Sequence, residues 1–400
     1  MRLKLEDNCL FINGGSWTAS EYSEVGYPVL KVSNFDKDSI SYNELSYLQE
    51  SSFDKYKKNQ LKLHDIVIAT VGSHPSLVNS AAGRCITVPK DAVGLLLNQN
   101  ALCIRSKNED FIDQRYLGYL CKSQLFQHFI QQRGKGAANQ MRIPIGGIKS
   151  YEFDFPKIET QRKIASILSA YDDLIENNLK RIKLLEEQAQ QTYEEWFVRF
   201  KFPGYESVEI DAVSGLPFGW KIVKVGELLG KVKSTAKIKS SEILEEGKIP
   251  VVDQSRTFIK GYTNEVKALI NIKEPIIVFG DHTRILKFVN FSFARGADGT
   301  QVILSKNERM PQHLFFFTLL DVDLSNYHYA RHFKFLKDCD VVLPNIKQSI
   351  EFEDLIKPKY DLILNLQRQN QHLKETRDIL LPRLMSGLID VDGLEKKEKE

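Results

Sequence analysis

Between Glu159 and Phe197 apolar side chains return every three or four residues, at Ile164, Leu168, Tyr171, Ile175, Leu179, Ile182, Leu185, Ala189 and Trp196. Lys, Arg, Glu and Gln fill the gaps, and no Pro or Gly interrupts the run. This is the period of an α-helix with one apolar face. At a rise of about 1.5 Å per residue it would extend roughly 58 Å, about twice an ordinary globular helix, so it needs a partner along its length. Asn178 and Gln188 lie on or beside the apolar face, where polar residues fix register at some cost in stability. A second helical run from Tyr360 to Met385 offers the partner, with a face through Leu362, Leu366, Gln369, Leu373, Thr376, Leu380 and Leu384. Pro358 and Gly387 read as its start and stop signals. We expect Leu168, Ile175, Ile182 and Leu185 to meet Leu366, Leu373 and Leu380 in a coiled coil, although burial in an ordinary core would use the same residues.

The segment before the first helix mixes β-branched runs (Asp65 to Gly72, Ala92 to Leu97) with one helical stretch, Phe111 to Gln132, so an α+β domain is expected. It closes on a glycine-rich polar loop from Arg133 that leads into a strand ending at Pro156. After the first helix come the aromatic residues Trp196, Phe197, Phe200 and Phe202, with Pro203. These either plug the junction between the helix and a second domain or present a surface to a partner, and the junction is the preferred reading. A linker of Pro, Gly and small polar residues runs on to Trp220.

From there the plan repeats. KIPVVDQ at Lys248 answers YPVLKV at Tyr27, and EPIIVFGDHT answers DIVIATVGSHP, aligning Gly280 and His282 with Gly72 and His74. Gln312 answers Gln114, and Pro344 answers Pro156. The chain therefore reads as domain, long helix, domain, long helix, two copies of one unit. Paired modules on a helical spacer suit a partner with its own repeat. Duplex DNA is one, since half-sites about one helical turn apart, roughly 34 Å, are read by modules at that separation.

Composition adds limits rather than a direction. With 400 residues, 42% hydrophobic and 27% charged, the chain can bury two or three cores. A net charge of +3 permits a polyanionic partner without demanding one. The cysteines, at 9, 85, 103, 121 and 339, form no CxxC pair, so neither a disulfide framework nor a zinc cluster is expected. No apolar core for a signal peptide follows Met1, and no run of about 18 apolar residues occurs, which points to a cytoplasmic protein without a membrane partner.

Catalytic motifs are missing as well. No Pro-Pro pair occurs, so the tetrapeptide of an adenine methyltransferase is absent, and the nearest approach to a phosphate loop, GELLGKV at Gly226, is one residue short and ends in Val. Glu246-Gly247-Lys248 has no preceding Pro-Asp to make a nuclease centre, and His74 and His282 lack local companions for a metal. For DNA contact the useful chemistry is Arg and Lys for phosphate and guanine, Asn and Gln for adenine. In the first domain that selects Arg133, Lys135, Asn139, Gln140 and Arg142, then Ser73, His74 and Arg84; a merely solvated loop is the alternative. In the second domain it selects Asp281, His282, Thr283, Arg284 and Arg295, and the run Tyr329, Arg331, His332, Lys334.

Three stretches carry a family resemblance: NNLKRIKLLEEQAQQTYEEWFVRFKFPGYE from Asn177, LPFGW from Leu216, and LKETRDILLPRLMSGLIDV from Leu373. They closely resemble the central and C-terminal conserved regions of specificity subunits of type I restriction-modification systems. The resemblance implies two target recognition domains, at residues 1–157 and 221–345, each reading half of a split site on double-stranded DNA. It implies a central helix at 158–198, a linker at 199–220, a C-terminal helix at 346–389 and a charged, solvated tail at 390–400. The helices would form an antiparallel coiled coil with pseudo-twofold symmetry, set the gap, and dock two modification subunits. Restriction subunits would join the full complex. S-adenosylmethionine, ATP and magnesium would bind those partners, and this chain would hold no cofactor and perform no catalysis. Many members open with an LPxGW-like lead that here precedes only the second domain. The alternatives are a fused enzyme and a DNA-binding or coiled-coil scaffold outside a restriction system. The rod makes one prediction: deleting one helical turn near Leu185 changes the gap of the recognised site and leaves both half-sites. An unchanged gap in a functional deletion contradicts it.

Overall fold

In a computed structural model the described residues are 2–35, 39–42, 45–73, 81–137, 140–297, 299–326 and 331–393. The chain divides into two units, Met1–Glu176 with Asn370–Glu400, and Asn177–Gln369. His74, Asn139, Tyr329 and the tail from residue 394 lie outside the described residues.

The first unit is built on an antiparallel sheet ordered Cys9–Asn13, Ala101–Ser106, Ile66–Ala69, Cys85–Thr87. Its strand Ile66–Ala69 is buried at every position, as a strand covered on both faces must be. One face packs on the helices Gln114–Lys122 and Gln124–Gln131, which start cleanly because Asp113 and Ser123 accept the Tyr116 and Phe126 amides. A second sheet joins Tyr27–Leu30 to Ser46–Leu48 antiparallel and to Leu96–Leu97 in parallel. Arg2–Lys4 pairs with Glu152–Asp154 just ahead of the first long helix.

The second unit repeats the scheme. Lys221–Lys224 pairs with Asp340–Leu343 ahead of the second long helix, and Ile276–Gly280 lies between Leu286–Val289 and Thr300–Ile303. Ile249–Val252 pairs antiparallel with Gly261–Thr263 and in parallel with Phe293–Arg295. The repetition extends to single hydrogen bonds. The Gln114 carboxamide accepts from Ser106 N at 2.7 Å and donates to Ile104 O at 3.2 Å. Gln312 accepts from Ser305 N at 2.9 Å and donates to Ile303 O at 3.0 Å. In each case a helix-opening glutamine satisfies backbone groups at the C-terminal end of the strand before it that would otherwise be buried unpaired.

The first long helix spans Ile158–Tyr193 and ends in a π-helical turn, Glu194–Val198. Phe197 and Phe202 then pack against Trp220, and Phe197 against Phe352, so the aromatic residues fill the core of the second unit. The second long helix spans Ile346–Met385, starting well before Tyr360, where the apolar period becomes visible in the sequence. Pro358 therefore lies inside it. The residue is solvent-exposed, where the Asp354 carbonyl it leaves without an amide partner can turn to water.

Within each unit the two helices run antiparallel. In the first, Asp172 meets Arg377 at 2.6 Å and Lys163 meets Asp392 at 3.1 Å; in the second, Lys359 donates to Gln188 at 2.8 Å and Ile182 packs with Ile363 and Leu366. Leu168, Ile175, Ile182 and Leu366 are buried as expected, whereas Leu185, Leu373 and Leu380 are half-buried. The seam differs from expectation at three places: Leu179 is 51% exposed while Asn178 is buried, and Gln369 and Thr376 are exposed while Asn370 and Arg377 are buried. The burial repeats every seven residues through Ile356, Ile363, Asn370, Arg377 and Leu384, so the faces follow a heptad rather than the nearest apolar side chain.

At that seam the Arg377 guanidinium pairs with Asp172, whose other oxygen accepts from the Tyr119 hydroxyl at 2.6 Å. Burial, with the Asp172 carboxylate beside it, pushes the Tyr119 hydroxyl far above its ordinary range, so it stays a donor. Among the described residues no helix is long and apolar enough to cross a membrane, and the five cysteines are free. Arg377→Ala should cost about 2 to 4 kcal/mol in denaturant unfolding, below the full buried-pair figure because Asp172 is partly solvated. The triple change Tyr119→Phe, Asp172→Leu, Arg377→Met should recover most of that loss, since apolar replacement of a whole buried pair is near neutral. Additive destabilisation in the triple variant contradicts this.

Candidate nucleic-acid interface

In the first unit the glycine-rich loop folds as a hairpin, Lys135–Ala137 with Gln140–Arg142, and Gln140–Arg142 pairs on its other edge with Val71–Gly72. Strand alternation turns Met141 into the core and leaves Lys135, Gln140 and Arg142 exposed together on the opposite face. Two glycines make this possible. A Cβ on Gly136, which has φ +124°, would lie 2.3 Å from Gln140 O, and one on Gly72 would lie 2.4 Å from Ala82 N. The pairing places Ser73 directly beyond the strand that carries the hairpin. Arg133 stands at the hairpin's base, exposed, with its guanidinium 3.4 Å from the centre of the Phe129 ring and bonded to Phe129 O. Arg84 is half-buried and donates to the Phe35 carbonyl, which directs it inward.

In the second unit His282, Thr283 and Arg284 form the exposed turn between Ile276–Gly280 and Leu286–Val289. Arg284 holds φ at +61° and donates to Leu324 O. Beneath it Asp281 is buried. Its carboxylate caps Phe333 N at 2.8 Å, and its carbonyl accepts from His332 N and from the His332 ring. Asp281 thus ties the turn to the helix His332–Asp338, bringing exposed Arg331 and Lys334 to the same region. His332, expected to face DNA, is 5% exposed with its ring committed to that carbonyl, so it braces the site from within. Arg295 is half-buried on Phe293–Arg295; burial lowers its pKa, and its Nε has no hydrogen-bond partner among the described residues.

Two further participants, Lys287 and Gln254, carry almost no signal in the sequence. Lys287 lies in an apolar strand with its side chain 3% exposed, and its ammonium donates to the carbonyls of Asp253 and Thr257 at 2.6 Å each and of Phe258 at 3.4 Å. Burial lowers its pKa, which the nearby Asp253 carboxylate opposes. It clamps the loop from Asp253 to Phe258, and from that loop Gln254 reaches the 281–284 turn. The one hint in the sequence is a lysine within the run LKFV. Both surfaces offer cationic and amide donors, the chemistry that meets phosphates and base edges. Among the described residues no group of three or more His, Cys, Asp or Glu could hold a metal ion.

Fold and surface together define a tandem arrangement of two α+β recognition modules, each followed by a long helix. The family model of the type I restriction modification DNA specificity domain matches residues 2–187. The chain is 29% identical over 313 residues to the type I restriction enzyme MjaIX specificity subunit of Methanocaldococcus jannaschii, covering 72% of this chain and 71% of that one. It is 22% identical over 333 residues to the MjaVIII specificity subunit of the same organism, covering 75% of each. Among solved structures, the type I restriction-modification S subunit from M. genitalium matches with a TM-score of 0.57 at 17% identity, over 96% of this chain and 95% of that one, a likeness of fold. The chain is thus similar to specificity subunits of type I restriction-modification systems, by the family model over residues 2–187 and by these relatives over about three quarters of its length.

Replacing Lys135 and Arg142 together by Ala should lower the slope of log affinity against log salt by about 2, nearly one for each cation that no longer meets a phosphate. Arg84→Ala should leave that slope unchanged. Titration of the full chain on duplex DNA at several salt concentrations checks both, and an unaltered slope in the double variant places the hairpin away from DNA.

Proposed function

We propose that this chain is the DNA-reading subunit of a type I restriction-modification complex, in which each unit recognises one half of a gapped site. The observation that carries this reading is the duplicated unit itself. A shared scaffold, matched down to Gln114 and Gln312, supports two differently built polar surfaces, a hairpin at Lys135–Arg142 and a turn and helix start at Asp281–Lys334. Similar scaffolds with dissimilar surfaces suit recognition of two different short sequences.

In this reading the paired long helices hold the modification subunits, two per chain, and restriction subunits complete the assembly. Methyl transfer and DNA cleavage belong to those partners, which bind S-adenosylmethionine, ATP and magnesium, and the chain works in the cytoplasm. Its own contribution is positioning: hydrogen bonds and charge on two surfaces decide where the partners act.

Mapping methylated adenine across the genome, with and without this chain and with the modification subunit present in both, tests the proposal. A two-part motif with an unspecified gap should disappear when the chain is removed. Methylation that persists at the same motif assigns the reading to another protein.

A further inference from the structure

We propose that the segment Gly230–Ser240 of the second unit is a phosphate-contacting ridge, whose Lys231, Lys233, Lys237 and Lys239 bind the backbone of double-stranded DNA beside the 281–284 turn. The inference rests on the DNA-reading function proposed above and adds to it a surface that senses charge rather than sequence.

The run GKVKSTAKIKS carries four lysines and no acid, and all four lysines are exposed. Ile238 is 4% exposed and packs with Ile249, Val251, Ala268 and Ala294. Successive side chains of an extended segment point to opposite sides, so Lys237 and Lys239 stand together in solvent above it. Two residues of extended chain span about 7 Å, inside the Debye length of about 8 Å at physiological salt, so their fields add. Among the described residues none of the four has a carboxylate partner, whereas Lys224 pairs with Asp340 and Lys347 with Glu351. Glu242, the first acid after the run, has its carboxylate tied to the Lys239 backbone amide at 3.0 Å.

The backbone beneath these lysines is a station that both units share. Ile238 N donates to Arg295 O at 3.0 Å, and Ile238 O accepts from Ala297 N at 2.6 Å. In the first unit Gly15 N donates to Leu97 O at 2.7 Å, and Gly15 O accepts from Gln99 N at 2.8 Å. Each is a parallel bridge, Ile238 to Gly296 and Gly15 to Asn98. The first unit fills the station with Gly14, Gly15 and Ser16, the second with Lys237, Ile238 and Lys239, so the fold itself does not call for lysine there. Uncompensated like charges oppose the compact state, and a polyanion laid across them relieves that repulsion.

Short backbone links join the ridge to the reading surface. Ile238 bonds the end of the strand Phe293–Arg295, and Gly299 just beyond it accepts from Asp281 N at 2.6 Å, at the base of the turn. Arg295, between the two, has a buried Nε without a hydrogen-bond partner among the described residues. Lysine is a point charge on a flexible stem, and with no neighbour to orient it, it neutralises phosphate without selecting a base.

The test titrates the full chain with its modification subunit on duplex DNA at several salt concentrations, and reads the methylated motif of the same variants. Lys237→Ala with Lys239→Ala should lower the slope of log affinity against log salt by about 2 and leave every base of the motif unchanged. Lys237→Arg with Lys239→Arg keeps both charges and should keep the slope. Lys347→Ala, which removes a lysine already paired on the second long helix, should keep it too. The proposal is overturned by an unaltered slope in the alanine variant, whether or not affinity falls. It is equally overturned by an arginine variant that loses as much slope as the alanine variant, or by a motif position that relaxes, which would make these lysines readers of sequence. An unsubstituted chain with neither salt-dependent DNA binding nor a gapped motif would instead refute the underlying DNA-reading function.

Discussion

The constraint on which the first unit depends is the ion pair between Asp172 and Arg377 at the helix seam. Removing two charges from water costs several kcal/mol each, and their attraction returns that cost only with good geometry and every remaining group satisfied. Here Tyr119 takes the second carboxylate oxygen and Asp378 takes the guanidinium's other face at 2.8 Å. One register of the two helices meets these requirements, and a slip by a heptad would separate the Arg377 guanidinium from the Asp172 carboxylate. Because Tyr119 belongs to the helix Gln114–Lys122, the same network fastens the recognition domain to the helix that follows it. The second unit uses different residues for the same task. Buried His313, on Gln312–Leu320, bonds Glu353 of the second long helix at 2.6 Å, and Ser349 of that helix donates to Arg309 O.

Duplication with divergence follows from that arrangement. What is common to both units is scaffold: the strand pair ahead of each long helix, the parallel pairing beside each central sheet, the glutamine that opens each short helix. Much of what differs lies after the short helix. The first unit continues into a second helix and the Lys135–Arg142 hairpin, the second into Asp321 and the helix His332–Asp338. Scaffold positions are held by packing and by backbone groups that must be satisfied, so they tolerate little change. Surface positions are bound only by what they contact.

The same physics explains what the sequence makes legible. Apolar periodicity places both long helices and most of the seam, and the repeat is visible at Gln114 with Gln312 and at Pro156 with Pro344. Asn370 and Arg377 escape because an apolar pattern cannot flag a polar residue that is buried with a partner. Pro358 reads as a boundary because its exposed face, which lets a helix absorb it, is a property of the fold. His332 matches the composition of a DNA contact and proves a brace, because only the structure shows Asp281 beneath it. Lys287 and Gln254 are silent in the sequence for the opposite reason: their roles come from segments more than twenty residues apart meeting at one turn.

The central claim is that each unit reads its own half of the site through its own surface. The most direct measurement replaces residues 221–345 with a second copy of residues 1–157 and determines the methylated motif of the resulting complex. The account predicts a motif made of two copies of the half-site read by the first unit, with the original second half lost. A motif that keeps the second half after its domain has been removed would contradict it.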